Sequence, residues 1–161
     1  MYMVGYSYYK EGDYPKAIAV FENILNVAGD NPVILNATYK TLGNISFFKY
    51  TNAGKDRKEI DKAVEYFNNA IKYNSKDDIS YFNAGLCYFQ SEDYNKAVNY
   101  IKSAIELQPS NSKYYSGLAN CYYAKKLFDL AEQFYKRAIE LDSANIEAQY
   151  NLMRIREQRN G

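Results

Sequence analysis

Residues 78–111 read DISYFNAGLCYFQSEDYNKAVNYIKSAIELQPSN, and residues 112–145 read SKYYSGLANCYYAKKLFDLAEQFYKRAIELDSAN. Written one over the other, the two stretches agree in kind at a series of places. Tyr81 falls on Tyr115, Gly85 on Ala119, Tyr88 on Tyr122, Tyr94 on Phe128, Ala97 on Ala131, Ile101 on Tyr135 and Ala104 on Ala138. The offset is 34 residues throughout. A fixed period of this length marks a stack of like supersecondary units, none of which can bury its apolar face alone.

One period upstream of Ala97 stands Ala63, in DKAVEYFNNAIKYNSKD, with Phe67 and Ala70 in register. Leu42 and Gly43 belong to the first half of that unit. The gap from Gly43 to Ala63 is longer than the gap from Gly85 to Ala97, and the excess sits in TNAGKDRK, Thr51 to Lys58. Further upstream, Gly5, Tyr8, Tyr14, Ala17, Phe21 and Ile24 repeat the pattern. The chain therefore divides into units at about 1–31, 36–77, 78–111 and 112–145, all within a single domain over 1–161. After Asn145, IEAQYNLMRIREQRNG reads as a capping helix near 146–158. Met153 and Arg156 there replace small residues and tyrosine, which discourages a further unit from stacking. The first unit starts in mid-helix at Met1, so the chain is expected to be cut from a longer protein.

Each unit predicts two amphipathic helices. Helices are expected at about 1–10 and 14–28, 33–50 and 59–73, 78–90 and 93–107, and 112–125 and 127–141. Gly5, Gly43, Gly85 and Ala119 are small where the helices of a unit cross, and Ala17, Ala63, Ala97 and Ala131 supply the facing small surface. Gly12 and Ser91-Glu92-Asp93 mark turns, while Pro32 and Pro109 mark unit boundaries. In length and pattern these units resemble the tetratricopeptide-repeat (TPR) family, over nearly the whole chain. The resemblance implies an all-α, right-handed superhelical solenoid of antiparallel helix pairs.

It also implies a function. In that family the first helix of each unit lines a concave groove that takes an extended peptide or a helix. Register places Tyr2, Tyr6, Tyr9 and Lys10 on that surface, then Lys40, Asn44, Phe47 and Phe48. Phe82, Asn83, Leu86, Phe89 and Gln90 follow, then Lys113, Ser116, Gly117, Asn120 and Tyr123. Rings alternate with amides and lysines, and no acidic residue is among them, which suits a partner with apolar side chains and a negative group. Family members that grip acidic chaperone C-termini use a lysine–asparagine pair, a second asparagine, and a lysine–arginine pair. Lys40, Asn44, Asn83 and Lys113 match four of these places, and Gly117 stands where the arginine would be. The reading is a protein-interaction scaffold binding a protein or peptide partner. Its alternative is a structural scaffold that self-associates through its unit ends.

Composition narrows the rest. Histidine is absent, which removes the usual general base near neutral pH and the commonest metal ligand. Cys87 and Cys121 have neither a CxxC spacing nor a histidine for zinc, and occupy equivalent packed places in adjacent units. No nucleophile motif or phosphate-binding glycine loop occurs, so neither an enzyme nor a cofactor is expected. The net charge of +1 gives no pull toward nucleic acid, despite Lys55, Arg57 and Lys58 in the insertion. Asp77-Asp78 and Glu92-Asp93 read as helix caps. The sequons at Asn36 and Asn44 lack a secretory leader, and no apolar run approaches the roughly 18 residues that span a bilayer. The expected place is the cytoplasm, without membrane insertion.

Overall fold

The computed structural model describes the backbone of residues 1–160 and the side chains of residues 1–158. Among the described residues there are nine helices and no strand: α1 (Tyr2–Glu11), α2 (Tyr14–Val27), α3 (Pro32–Asn52), α4 (Arg57–Tyr73), α5 (Asp78–Gln90), α6 (Tyr94–Leu107), α7 (Ser112–Ala124), α8 (Phe128–Leu141) and α9 (Ile146–Asn160). The fold is an all-α helical repeat of helix–turn–helix pairs with a ninth helix at the end. None of the helices is long and apolar enough to cross a membrane.

Short polar side chains start most of the helices. Asp13, Asn31, Asp56, Asp93 and Asn111 each accept a hydrogen bond from a backbone N–H in the first turn of α2, α3, α4, α6 and α7. Three of the turns inside pairs share one geometry. Gly12, Glu92 and Lys126 take φ of 80°, 62° and 60°, and the next residue's N–H returns to the carbonyl of Tyr8, Tyr88 or Tyr122 at 2.9 Å in each case. The insertion at Thr51–Lys58 is used differently from its expected place between helices. It lengthens α3 to 21 residues and α4 to 17, leaving only residues 53–56 to turn.

The chain forms two compact units, Met1–Cys87 and a second from Tyr88 onward, with the division inside α5. In the first, α1 packs on α2 and α3, α2 on α3, and α3 along α4. Ala17, Phe21, Ile24, Leu42 and Ile45 form its buried core, with Tyr2, Tyr6, Tyr9, Tyr14 and Tyr66 against it. Phe67 is fully buried against Gly43. In the second unit α7 packs on α6 and α8, and α8 on α9. Ala97, Ile101, Ala104, Leu118, Ala131, Tyr135, Ala138 and Ile155 are buried there.

Both thiols are free and fully buried, as the packing reading requires. Burial pushes the Cys87 thiol up strongly and that of Cys121 up to about 12.

Candidate functional site

In the first unit the predicted surface residues of α1 and α3 come together through an aromatic ribbon. Ring centroids are 6.1 Å apart for Tyr2 and Tyr6, 5.7 Å for Tyr6 and Tyr9, and 6.2 Å for Tyr9 and Tyr14. Tyr14 then meets Phe48 at 4.9 Å. The Tyr2 hydroxyl lies 3.2 Å from Thr41 Oγ1, which ties the ribbon to α3. Tyr14 lies outside the predicted set of liners. It enters because the turn at Gly12 folds the start of α2 back beside Tyr9.

Asn44 and Asn83 are joined directly: Asn83 Nδ2 donates to Asn44 Oδ1 at 3.1 Å. Asn44 Nδ2 and Asn83 Oδ1 have no partner among the described residues, so the pair keeps an amide NH2 on one side and a carbonyl oxygen on the other. Phe47, Phe82 and Leu86 are half-buried and lie on the same two helices.

Lys40 is already engaged. Its Nζ lies 2.9 Å from Asp77 Oδ2, in an ion pair whose side chains are 28% and 4% exposed. Asp77 also accepts from Asn36 Nδ2 at 2.8 Å, from Ser80 Oγ at 2.9 Å and from Ser80 N at 3.3 Å. Burial pushes the Asp77 carboxyl up, but the hydrogen bonds from Asn36, Lys40 and Ser80 and the lysine charge outweigh it. The net position is below the ordinary carboxylate value. Asp77 is thus more than the cap of α5. The expectation of a surface free of acidic residues is corrected here, because an acceptor arrives from the end of the neighbouring element.

The second unit repeats the asparagine pairing and saturates it. Asn151 Nδ2 donates to Asn120 Oδ1 at 3.2 Å, and the Tyr135 hydroxyl donates to the same oxygen. Asn120 Nδ2 donates to Glu147 Oε1 at 2.8 Å. Burial, then the Glu147 charge, holds the Tyr135 hydroxyl far above the ordinary tyrosine value. Tyr123 accepts from Arg154 Nη2 at 3.3 Å and Gln158 Nε2 at 3.2 Å, with the Arg154 guanidinium 5.4 Å from its ring centroid. Phe89 packs on Tyr94 at 5.5 Å. Lys113 is exposed and makes no ion pair among the described residues. Asp77, Asn36, Glu147, Asn151 and Arg154 are absent from the predicted set. Only the four-residue spacing of Asn36 and Lys40 on α3 hinted at a shared acceptor.

Comparison with known proteins agrees with the helical-repeat fold. Models of the tetratricopeptide repeat match residues 1–30, 55–98 and 88–155. No curated protein matches by sequence. Among solved structures, the chain is similar to the first TPR of Spaghetti (RPAP3) bound to the HSP90 peptide SRMEEVD. The identity there is 24% and the TM-score 0.68, over 78% of this chain and 94% of that one. It is similar to the second TPR domain of human RPAP3 in complex with the HSP70 peptide SGPTIEEVD, at 21% identity and TM-score 0.68, over 78% and 98%. It is also similar to MamA 41-end from Desulfovibrio magneticus RS-1, at 14% identity and TM-score 0.80, over 98% and 82%. These likenesses concern the fold. Repeat models along most of the chain meet a helix-pair register found independently in the residues, and the chain belongs to the tetratricopeptide-repeat family.

Proposed function

We propose that the chain is a protein-interaction scaffold, and that an extended segment of a partner lies on the first helices of its units. The observation that carries this is the Asn44–Asn83 pair. It leaves the Asn44 NH2 and the Asn83 carbonyl oxygen side by side, next to half-buried Phe47, Phe82 and Leu86. A backbone amide presents a matching acceptor and donor in any extended sequence, so the pair grips the chain while the apolar residues take side chains. Two of the similar structures hold peptides ending in EEVD, which supports an acidic segment as the ligand. In that finer reading, Lys113 supplies an unpaired ammonium, and Asn120, Tyr123 and Phe89 are further contacts of the segment.

The test is a fluorescence titration of labelled SRMEEVD and of a peptide library. Wild type is compared with Asn44→Leu, Asn83→Leu and Lys113→Ala. Loss of one well-placed hydrogen bond costs roughly 0.5–1.5 kcal/mol, and more when a buried group is left unpaired. Each asparagine variant should therefore weaken binding about 3- to 30-fold. Lys113→Ala should weaken only the acidic ligands. Binding that ignores both asparagines would sink this reading.

Self-association is the second reading, and a different surface favours it. A hollow of about 470 Å³ in the first unit is lined by Met1, Tyr2, Met3, Ile24, Val27, Ala28 and Ile34. Met1, Met3 and Val27 are more than 60% exposed. A second copy of the chain is the proposed occupant. Sedimentation over a concentration series should then show a mass that rises with concentration, and a constant monomer mass would reject it.

A further inference from the structure

We infer that Asp77 decides the ligand class of the first unit, by acting as a built-in carboxylate partner for Lys40. It directs this face toward the interior of an extended segment and away from a chain-terminal carboxylate. The part concerning the segment rests on the scaffold reading above; the occupation of Lys40 does not.

A comparison within the molecule carries the inference. Asn36 and Lys40 hold the first and fifth places of their repeat, as Ser112 and Ser116 do in theirs. In each case the residue before the next first helix reaches back to both. Asn145 caps α9 through Ala148 N at 3.0 Å and donates to Ser112 Oγ at 2.6 Å and Ser116 Oγ at 2.9 Å. Asp77 caps α5 through Ser80 N and accepts from Asn36 and Lys40. The bridge between elements is therefore a device of the fold, and a neutral amide performs it in the second unit. The fold does not demand a charge at this place. What the charge of Asp77 adds is neutralisation of Lys40.

The electrostatics point the same way. Lys40 stands one turn from Asn44 on α3, so its ammonium would be the group to receive a ligand carboxylate beside the asparagine pair. Asp77 already lies 2.9 Å from it, buried and fixed by two further side chains. An incoming carboxylate would meet a pair with no net charge. It would have to share the ammonium with a like charge that cannot move away, which cancels most of the attraction. An uncharged backbone segment meets no such penalty.

The experiment uses Asp77→Asn and Asp77→Ser, both of which keep a capping side chain for α5. Circular dichroism and thermal melting establish that each variant is folded. SRMEEVD is titrated as the free acid and as the C-terminal amide, against wild type, Lys40→Ala, Asp77→Asn, Asp77→Ser and Asp77→Asn/Lys40→Ala. The reactivity of Lys40 toward an amine-labelling reagent is followed by mass spectrometry with Lys49 as the internal reference. Wild type should bind acid and amide within about threefold of each other, or bind neither. Asp77→Asn should prefer the acid by about tenfold or more, which corresponds to roughly 1.4 kcal/mol, and the double variant should lose that preference. Lys40 labelling should accelerate in Asp77→Asn, which a purely structural role would not produce.

Four results overturn the inference. One is an acid preference already present in wild type and abolished by Lys40→Ala. Another is an unchanged acid-to-amide ratio in both folded Asp77 variants. The third is absence of binding by all of them, and the fourth is unchanged Lys40 labelling. Failure of the scaffold reading looks different: the asparagine variants leave binding intact, whatever Asp77 does.

Discussion

A Cβ built on Gly43 would lie 2.8–2.9 Å from three ring atoms of Phe67, closer than side-chain carbons approach one another. Phe67 is 0% exposed and has nowhere to retreat. Gly43→Ala should therefore destabilise the protein by about 1–3 kcal/mol through overpacking, although alanine is the better helix former. Lys102→Ala, at an exposed place on α6, should change stability by less than about 0.5 kcal/mol. Denaturant midpoints measured for both variants check this, and equal midpoints would contradict the crossing. The role of Gly43 was legible from the period alone, because the same place holds Gly5, Gly85 and Ala119. The role of Asp77 was not. A repeat register says which face a side chain occupies, but not which residue at the end of another element will reach it.

At the scale of the element, the repeat register disclosed the helix pairs, and short polar residues mark where several of them start. Asp13, Asn31, Asp93 and Asn111 are short polar residues directly before periodic apolar runs, which is the signature of a helix start. The turn before α2 carries a glycine in the left-handed region, but the turns before α6 and α8 place Glu92 and Lys126 there. A charged residue at positive φ costs about 1 kcal/mol and gives no local signal, so these turns are visible only through the repeat. The insertion marks the limit of such reading. TNAGKDRK looks like a loop by its glycine and its charges, yet Thr51 and Asn52 continue α3, and Arg57 and Lys58 open α4 under the Asp56 cap. Thr51 Oγ1 bonds back to the carbonyls of Phe47 and Phe48, and Asn52 Nδ2 to that of Phe48, holding the extra turn. Side chains that prefer turns in isolation are recruited here to satisfy helix-end carbonyls. The site divides along the same line. Register put Asn44 and Asn83 in the same lining set without pairing them, and the saturation of Asn120 depends on Glu147 and Asn151 of α9, a helix read only as a cap.

Taken whole, the chain has no histidine, and the displaced titrations near neutral pH all move away from it. Cys87, Cys121, Tyr9, Tyr39, Tyr66 and Tyr135 are raised, mainly by burial. Asp13, Asp77 and Asp93 are lowered; the first and last are exposed and paired with Lys16 and Lys96, and only Asp77 is buried. A carboxyl lowered in the folded state contributes stability above its unfolded value, about 3.9 for aspartate, and loses it as pH falls through the folded value. Stability should accordingly be flat between about pH 5 and 8 and should drop below about pH 4. Acid adds a second effect: as the 19 carboxylates protonate, the 20 Lys and Arg residues are left uncompensated and repel one another. Asp77→Asn separates the two contributions. It removes the buried ionised group but hardly alters the sum of surface charge. The variant should be less stable than wild type at neutral pH. The two curves should converge in acid, because a protonated Asp77 and the asparagine that replaces it are both neutral acceptors beside Lys40. Thermal melts of both proteins at about pH 3 to 8 measure this. Parallel curves with a constant gap would show that the ionised Asp77 contributes nothing beyond its capping bond.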